Sequence, residues 1–298
     1  MNIIIHRGTH QIGGSAIEIS TKSTRIILDF GNELSLDEKY IPINLDIDGV
    51  TKGMLDCDGI VISHYHMDHL GQLTSALPEI PLYMGKLSKE VAMIATEHQD
   101  KDLYLRLLGA NTFRGGEAFT IGNIHIRPLV IDHSAVDSYM FVIEAEGKRV
   151  LYTGDFRMHG LRSHIVEKLV KTYIGEVDVL ITEGTSLSRD ADNYISEAAV
   201  LEDIYSYIQD GKYVFVICSS TNIDRIMGIW QNMPTDKVLI CDAYQKRILD
   251  TVVNNVYYES SLYRRHDSPL VLDKGKYPKY YMDNGFVCFC LLYTSPSP

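Results

Sequence analysis

The sequence predicts an α/β protein, an αββα sandwich over residues 1–189 followed by a smaller α/β domain over residues 190–289. Three observations carry this. Short apolar runs separated by turn residues fill the first part, as the strands of packed sheets do. Two of these runs, Gly59–Ser63 (GIVIS) and Asp178–Thr182 (DVLIT), are apolar almost throughout, the mark of strands covered on both faces. After about Arg189 single strands alternate with helical spacing, which implies a parallel sheet with crossover helices.

The elements follow in order. Asn2–His6, Ala16–Ser20 and Arg25–Phe30 read as strands, divided by a Gly13–Gly14 turn and a Thr21–Ser23 loop. Gly59–Ser63 feeds directly into His64, and Asp68–Leu77 and Leu87–His98 have helical apolar spacing. Glu117–Ile121, Ile124–Ile131, Tyr139–Ala145 and Arg149–Thr153 are strands, the last two joined by a hairpin turn at Glu146–Gly147–Lys148. In the second domain Ser196–Asp210 is a helix with Ser196 as N-cap and Gly211 as its C′ stop. Tyr213–Cys218 and Val238–Cys241 are strands, and Asn222–Trp230 and Tyr244–Val253 are helices.

Composition narrows the function. Hydrophobic residues at 45% and charged residues at 22% indicate a folded core rather than a disordered chain. The net charge of −11 argues against a surface coated for nucleic acid, though not against a local basic groove. No leader pattern opens the sequence and no run is long and apolar enough to span a membrane. The cysteines (Cys57, Cys218, Cys241, Cys288, Cys290) show no C-x-x-C pairing, so a reducing, cytoplasmic compartment and no membrane association are expected. The last nine residues, Cys290 to Pro298 (CLLYTSPSP), resemble one reading frame of the transposase adapter used in short-read library preparation. They are excluded from fold reasoning, and residues 1–289 are expected to be the amino-terminal part of a longer chain.

The chemistry lies in SHYHMDHLGQL, residues 63–73. His64, His66, Asp68 and His69 put four ligand-type side chains within six residues, directly after a buried strand. They cannot all face one ion but can be divided between two, and imidazole with carboxylate suits zinc, or manganese where carboxylates weigh more. This H-x-H-x-D-H string resembles the signature of the metallo-β-lactamase superfamily. Further motifs of that family have counterparts in order: Asp29 in IILDFG, His133 in IDHSAVDSYMF and Asp155 in LYTGDFR. The resemblance implies that His64, His66 and His133 hold one divalent ion (Zn²⁺, or Mn²⁺). Asp68 and His69 then hold a second, Asp155 bridges the two, and Asp29 supports the site without binding metal. It also implies hydrolysis by a metal-bridging hydroxide, with Asp68 orienting it.

Three segments resemble the β-CASP branch, and ribonuclease J-like proteins in particular: DVLITEGTSLSR (178–189), VFVICSSTNIDRI (214–226) and YTGDFRMHG around Asp155. The resemblance spans about residues 2–255 and makes the second domain a partial β-CASP insertion. Glu183 would be a catalytic carboxylate. Ser219, Ser220 and Asn222, at a helix N-terminus, with Arg225 one turn in, would contact substrate phosphate. The implied function is an RNA phosphodiesterase, exo- or endonucleolytic; the alternative is a metallo-hydrolase of small esters, thioesters or lactams. Later histidine motifs of the branch have no counterpart here, since only His266 follows, in YRRHDS. The chain by itself is therefore expected to be weakly active or inactive. Arg157 and His159 are candidates for the substrate channel or for structural roles, and His6 and His10 are expected to bind no metal. RNA is the expected partner, and a homo-oligomer is compatible with the sequence.

Overall fold

A computed structural model describes residues 1–34, 43–187, 194–256, 261–263, 269–271 and 279–292. Contacts divide the chain into two compact units, one of Met1–His133, Asp137–Met158 and Arg162–Asp190, the other of Ser134–Val136, His159–Leu161 and Ala191–Pro298.

The first unit holds two sheets. One takes β1 (Asn2–Arg7), β2 (Ala16–Ser20), β3 (Arg25–Leu28), β4 (Gly59–Ile62), β5 (Leu82–Gly85) and β6 (Asn111–Phe113) in that spatial order. Its first three strands are antiparallel and β3 to β6 run parallel. The other has the order β11 (Val179–Ile181), β10 (Lys148–Tyr152), β9 (Tyr139–Ala145), β8 (Ile124–Val130), β7 (Phe119–Ile121). The sheets face each other across a core in which Ile17, Ile19, Ile26, Leu28 and Val61 meet Ile124, Ile126, Tyr139, Phe141 and Tyr152. Alternation then puts Leu129, Met140, Val142 and Leu151 on the opposite face of the second sheet, where Val166 and Leu169 of α4 (His164–Leu169) cover them. The remaining helices of this unit are α1 (Met67–Leu70), α2 (Lys86–Thr96) and α3 (Lys101–Leu108). This is the αββα sandwich expected. The β9–β10 turn is the hairpin expected but one residue shorter, since Lys148 already pairs with Ala145, and Glu146 and Gly147 are both at positive φ (50° and 70°).

The second unit has a parallel four-stranded sheet, β12 (Tyr213–Ser219), β15 (Phe286–Leu292), β13 (Val238–Cys241), β14 (Leu270–Val271). Its helices are α5 (Glu197–Asp210), α6 (Ile223–Asn232), α7 (Ala243–Asn255) and α8 (Lys279–Asn284). Ser196 caps α5 as expected, its side chain accepting from the Ala199 N–H. Strand β15 runs through Leu292, into the segment excluded from the sequence reading, because β12 pairs with it along its whole length, whereas β13 pairs only with Phe286–Cys288.

Three expectations are corrected, the first being that Asp178–Thr182 is covered on both faces: β11 is an edge strand with Val179 and Leu180 exposed. The helix anticipated over Asp68–Leu77 is only α1 and a 3₁₀ turn at Leu73–Ser75, because the Gln72 N–H turns away to the Phe30 carbonyl at 2.9 Å. Gly211 ends α5 in extended backbone (φ −84°) rather than the left-handed C′ form; a Cβ there would lie 2.9 Å from the Tyr207 carbonyl oxygen. Strands β5 and β6 and helices α3 and α4 were not anticipated, being too short for periodicity to separate from loop. His266 and the 188–193 junction lie outside the described residues.

Candidate metal centre

The ligand-type residues sit where strands end. Strand β4 delivers Ser63 and His64, α1 carries Asp68 and His69, and the loops after β8 and β10 carry His133 and Asp155. The turn that holds His66 to His69 is fastened to its neighbours by backbone hydrogen bonds. The Phe30 N–H donates to His69 O (2.7 Å), Asn32 to Met67 O (2.9 Å) and Ser15 to Asp68 O (3.1 Å). Gly31 makes this approach achievable, since a Cβ there would stand 1.6 Å from the Asp68 carbonyl oxygen.

Two groups of side chains converge, His64 with His66 and His133, and His64 with His69 and Asp155, each with ligand atoms within 4.8 Å of one another. His66 Nδ1 lies 3.1 Å from His64 Nε2 and 3.2 Å from His133 Nε2. One ring nitrogen has a single lone pair or a single proton and cannot serve two such partners. Nitrogens bound to one tetrahedral ion at about 2.0–2.1 Å stand about 3.3 Å apart, close to this spacing. Among the described residues Asp68 Oδ1 is buried without a hydrogen-bond partner, again suited to a cation. The donor set therefore fits a divalent ion. Asp68 itself lies 3.6 Å from His69 Nε2, and Asp155 Oδ1 lies 3.3 Å from the same atom.

Electrostatics divide the cluster. Burial, reinforced by neighbouring rings, pushes His64 and His133 well below the usual histidine range and His66 down to about 4, so these rings are neutral ligands. Burial acts the same way on His69, but Asp155, Asp29 and Asp68 outweigh it and hold its pKa well above the usual range. Burial raises Asp68, whereas in Asp155 the effect of burial is overcome by His69, and the carboxyl stays well below its ordinary value.

Asp29 is fully buried, at positive φ (55°), with its Oδ2 2.7 Å from His69 Nδ1. It also accepts from the Ser63 N–H (2.6 Å), the Ser63 hydroxyl (2.8 Å) and the Tyr152 hydroxyl (2.5 Å). Sequence reasoning anticipated its supporting place but not Ser63 or Tyr152, which carry no motif of their own.

The other anticipated residues are placed as follows. Glu183 Oε1 accepts from the Phe156 N–H at 2.9 Å, next to Asp155, and burial raises its pKa. Arg157 pairs with the buried Asp132 (3.3 Å), and the Arg162 guanidinium donates to His133 O (3.3 Å). His6 bonds Glu18 at 2.9 Å. In the second unit Ser219, Ser220 and Asn222 lie on the turn into α6, as expected, with Ser220 and Asn222 buried. Arg225 is bidentate to Glu197 (2.6 and 3.0 Å), a partner the sequence reading missed. His159 stacks on Tyr194 with ring centroids 5.4 Å apart, and its carbonyl accepts from the Glu197 N–H that opens α5.

The family model of the Beta-lactamase superfamily domain matches residues 45–208. Among curated relatives, Endoribonuclease YSH1 of Gibberella zeae is 27% identical over 281 residues, covering 87% of this chain and 32% of that protein. The RNase J-like protein of Methanocaldococcus jannaschii is 27% identical over 71% of this chain and 49% of its own length. Ribonuclease J of Sinorhizobium meliloti is 24% identical over 64% of this chain and 35% of its own. The chain thus spans about a third to a half of these relatives. A solved structure, a protein of unknown function from Enterococcus faecalis V583, has the same fold (TM-score 0.76, 19% identity, 97% of this chain and 77% of that one).

Proposed function

Because this chain belongs to the beta-lactamase superfamily, we propose that it is the metal-binding part of a divalent-metal-dependent RNA phosphodiesterase of the β-CASP type. The observation that carries the reading is the convergence of His64, His66, His133, His69 and Asp155, with His133 and Asp155 half-buried and the others buried, in a chain whose relatives bear ribonuclease names. His64, His66 and His133 would hold one ion. His69 with Asp68 would hold a second, Asp155 would lie between the two, and zinc or manganese suits this donor set. Such ions supply a positive centre that acidifies water and draws off negative charge developing on the phosphate.

The chain's own residues then have distinct tasks. Asp68, whose Oδ1 has no partner among the described residues, would orient the attacking water and hold its proton. Glu183 is better placed as a positioning residue than as a proton donor, since it fixes the backbone beside Asp155. Ser219, Ser220 and Asn222 would meet a substrate phosphate at the start of α6 chiefly through side chains, since the Asn222 N–H already donates to the Ser219 carbonyl at 3.2 Å. Arg225 would join them only by giving up part of its pairing with Glu197.

The test offers the chain a single-stranded RNA, a phenyl ester and a lactam, with zinc or manganese. Slow metal-dependent cleavage of the RNA alone, abolished by His64→Ala, is expected. Hydrolysis of the ester or lactam with the RNA untouched, or cleavage that survives His64→Ala, overturns the reading.

A further inference from the structure

We infer that Ser63 is a positioning residue of this centre, its hydroxyl relaying a hydrogen bond from His64 to Asp29 and so fixing the His64 tautomer that leaves Nε2 bare. The inference rests on the metal-binding reading above, but its first measurement needs no metal.

The geometry decides the proton positions. Ser63 Oγ lies 2.8 Å from Asp29 Oδ2 and 3.0 Å from His64 Nδ1. A serine hydroxyl has one proton to give and two lone pairs to accept with. The carboxylate is the stronger and nearer acceptor, so the hydroxyl proton goes to Asp29. The Ser63 oxygen is then left as an acceptor facing His64 Nδ1, which must carry the N–H. A neutral imidazole has only one N–H, so His64 Nε2 is bare, and it is Nε2 that faces His66 and the ligand cluster.

The competing arrangement, with the hydroxyl donating to His64 Nδ1, would put a proton on Nε2 inside the cluster. It would also leave Asp29 Oδ2 without one of its donors. The backbone fixes Ser63 against the carboxylate, because its N–H is held on Asp29 Oδ1 at 2.6 Å and Ser63 is buried. Its packing is close as well, since a Cβ on Gly154 would stand 3.1 Å from Ser63 Cβ. Asp29 therefore governs two ring nitrogens, His69 Nδ1 directly and His64 Nδ1 through Ser63. The relay reaches both candidate groups, because His64 belongs to each.

The experiment is a long-range ¹H–¹⁵N correlation on the full chain, metal-free and ¹⁵N-labelled at histidine, with His64→Gln used to assign the His64 signals. His64 is expected in the Nδ1–H form. An Nε2–H form in the unmodified chain overturns the inference without any variant having to fold, and leaves the nuclease reading standing. Cobalt(II) competition titrations supply the second readout. Ser63→Ala is expected to weaken binding about 10-fold, the usual scale for removing a group that orients a metal-bound histidine. Asp29→Asn is expected to weaken it more and to cancel the further effect of Ser63→Ala in the double variant. Unchanged cobalt affinity and an unchanged His64 tautomer in Ser63→Ala would show that the hydroxyl only fills space.

Discussion

Gly31→Ala should be among the most damaging single-methyl changes available in this chain. The new Cβ would lie 1.6 Å from the Asp68 carbonyl oxygen, 2.0 Å from its carbon and 2.5 Å from the His69 nitrogen. Non-bonded heavy atoms settle at about 3.5 Å, so the two loops must part by roughly 1.5–2 Å. That separation breaks the hydrogen bonds from Phe30, Asn32 and Ser15 to the turn that holds the ligands, and the one from Gln72 back to Phe30. At about 1 kcal/mol for each of these bonds the loss is about 4 kcal/mol, within the range of severe overpacking. Against a typical stability of about 5–15 kcal/mol this is a large fraction. Urea unfolding followed by circular dichroism measures it, with Gly116→Ala as control. Gly116, unlike Gly31, has positive φ (85°), and a Cβ there meets nothing within 4 Å, so only backbone strain of about 1 kcal/mol is expected. If Gly31→Ala unfolds within about 1 kcal/mol of the parent and retains its metal, the stitched-loop account of the site is wrong.

Other outcomes follow from the same geometry. Asp29→Ala removes the acceptor of four buried hydrogen bonds and should cost about 3–5 kcal/mol, read from the same unfolding curves. Glu183→Ala should lower metal retention on gel filtration whereas Glu183→Gln, which keeps an acceptor for the Phe156 N–H, should not; equal losses would refute the positioning role. Zinc at about 100 times its dissociation constant should raise stability by about 2.7 kcal/mol, and a chelator should reverse the rise. The metal-free chain should also lose stability on acidification. His66 has an ordinary value of 6.5 but is held to about 4 when folded, so the unfolded chain binds its proton first. Stability from this group is present above about pH 6.5 and declines as the pH falls toward 4; a flat unfolding midpoint across that window would contradict it.

Much of the site was legible in the sequence because its ligands follow strands. An apolar run ending in His64 announces a buried strand that stops at a polar cluster, whereas His133 and Asp155 were found through the resemblance to family motifs, both also following strands. What stayed hidden was long-range. Nothing local marks Ser63 or Tyr152 as partners of Asp29, since their roles arise only when β3, β4 and β10 bring them together across 34 and 123 residues. The sequence singled out Arg225 but not its partner Glu197, which takes the guanidinium expected to meet phosphate. The helix anticipated over Asp68–Leu77 failed for a related reason. Its apolar spacing was sound, but the Gln72 N–H found a better partner in another loop.

The placement of the ligand residues also sets a schedule during synthesis. His64 to His69 emerge together, whereas Asp155 follows His69 by 155 − 69 = 86 positions. At about 5–20 residues per second, a ribosome exposes the first four side chains roughly 4–17 s before the last one exists. For that interval the nascent chain is a short, open chelating peptide rather than half of a folded pocket. Whatever cation is abundant where the chain is made can reach those side chains before the second sheet closes over them. If the folded site exchanges ions slowly, an ion it holds would reflect the company the ribosome keeps as well as the preferences of the folded site.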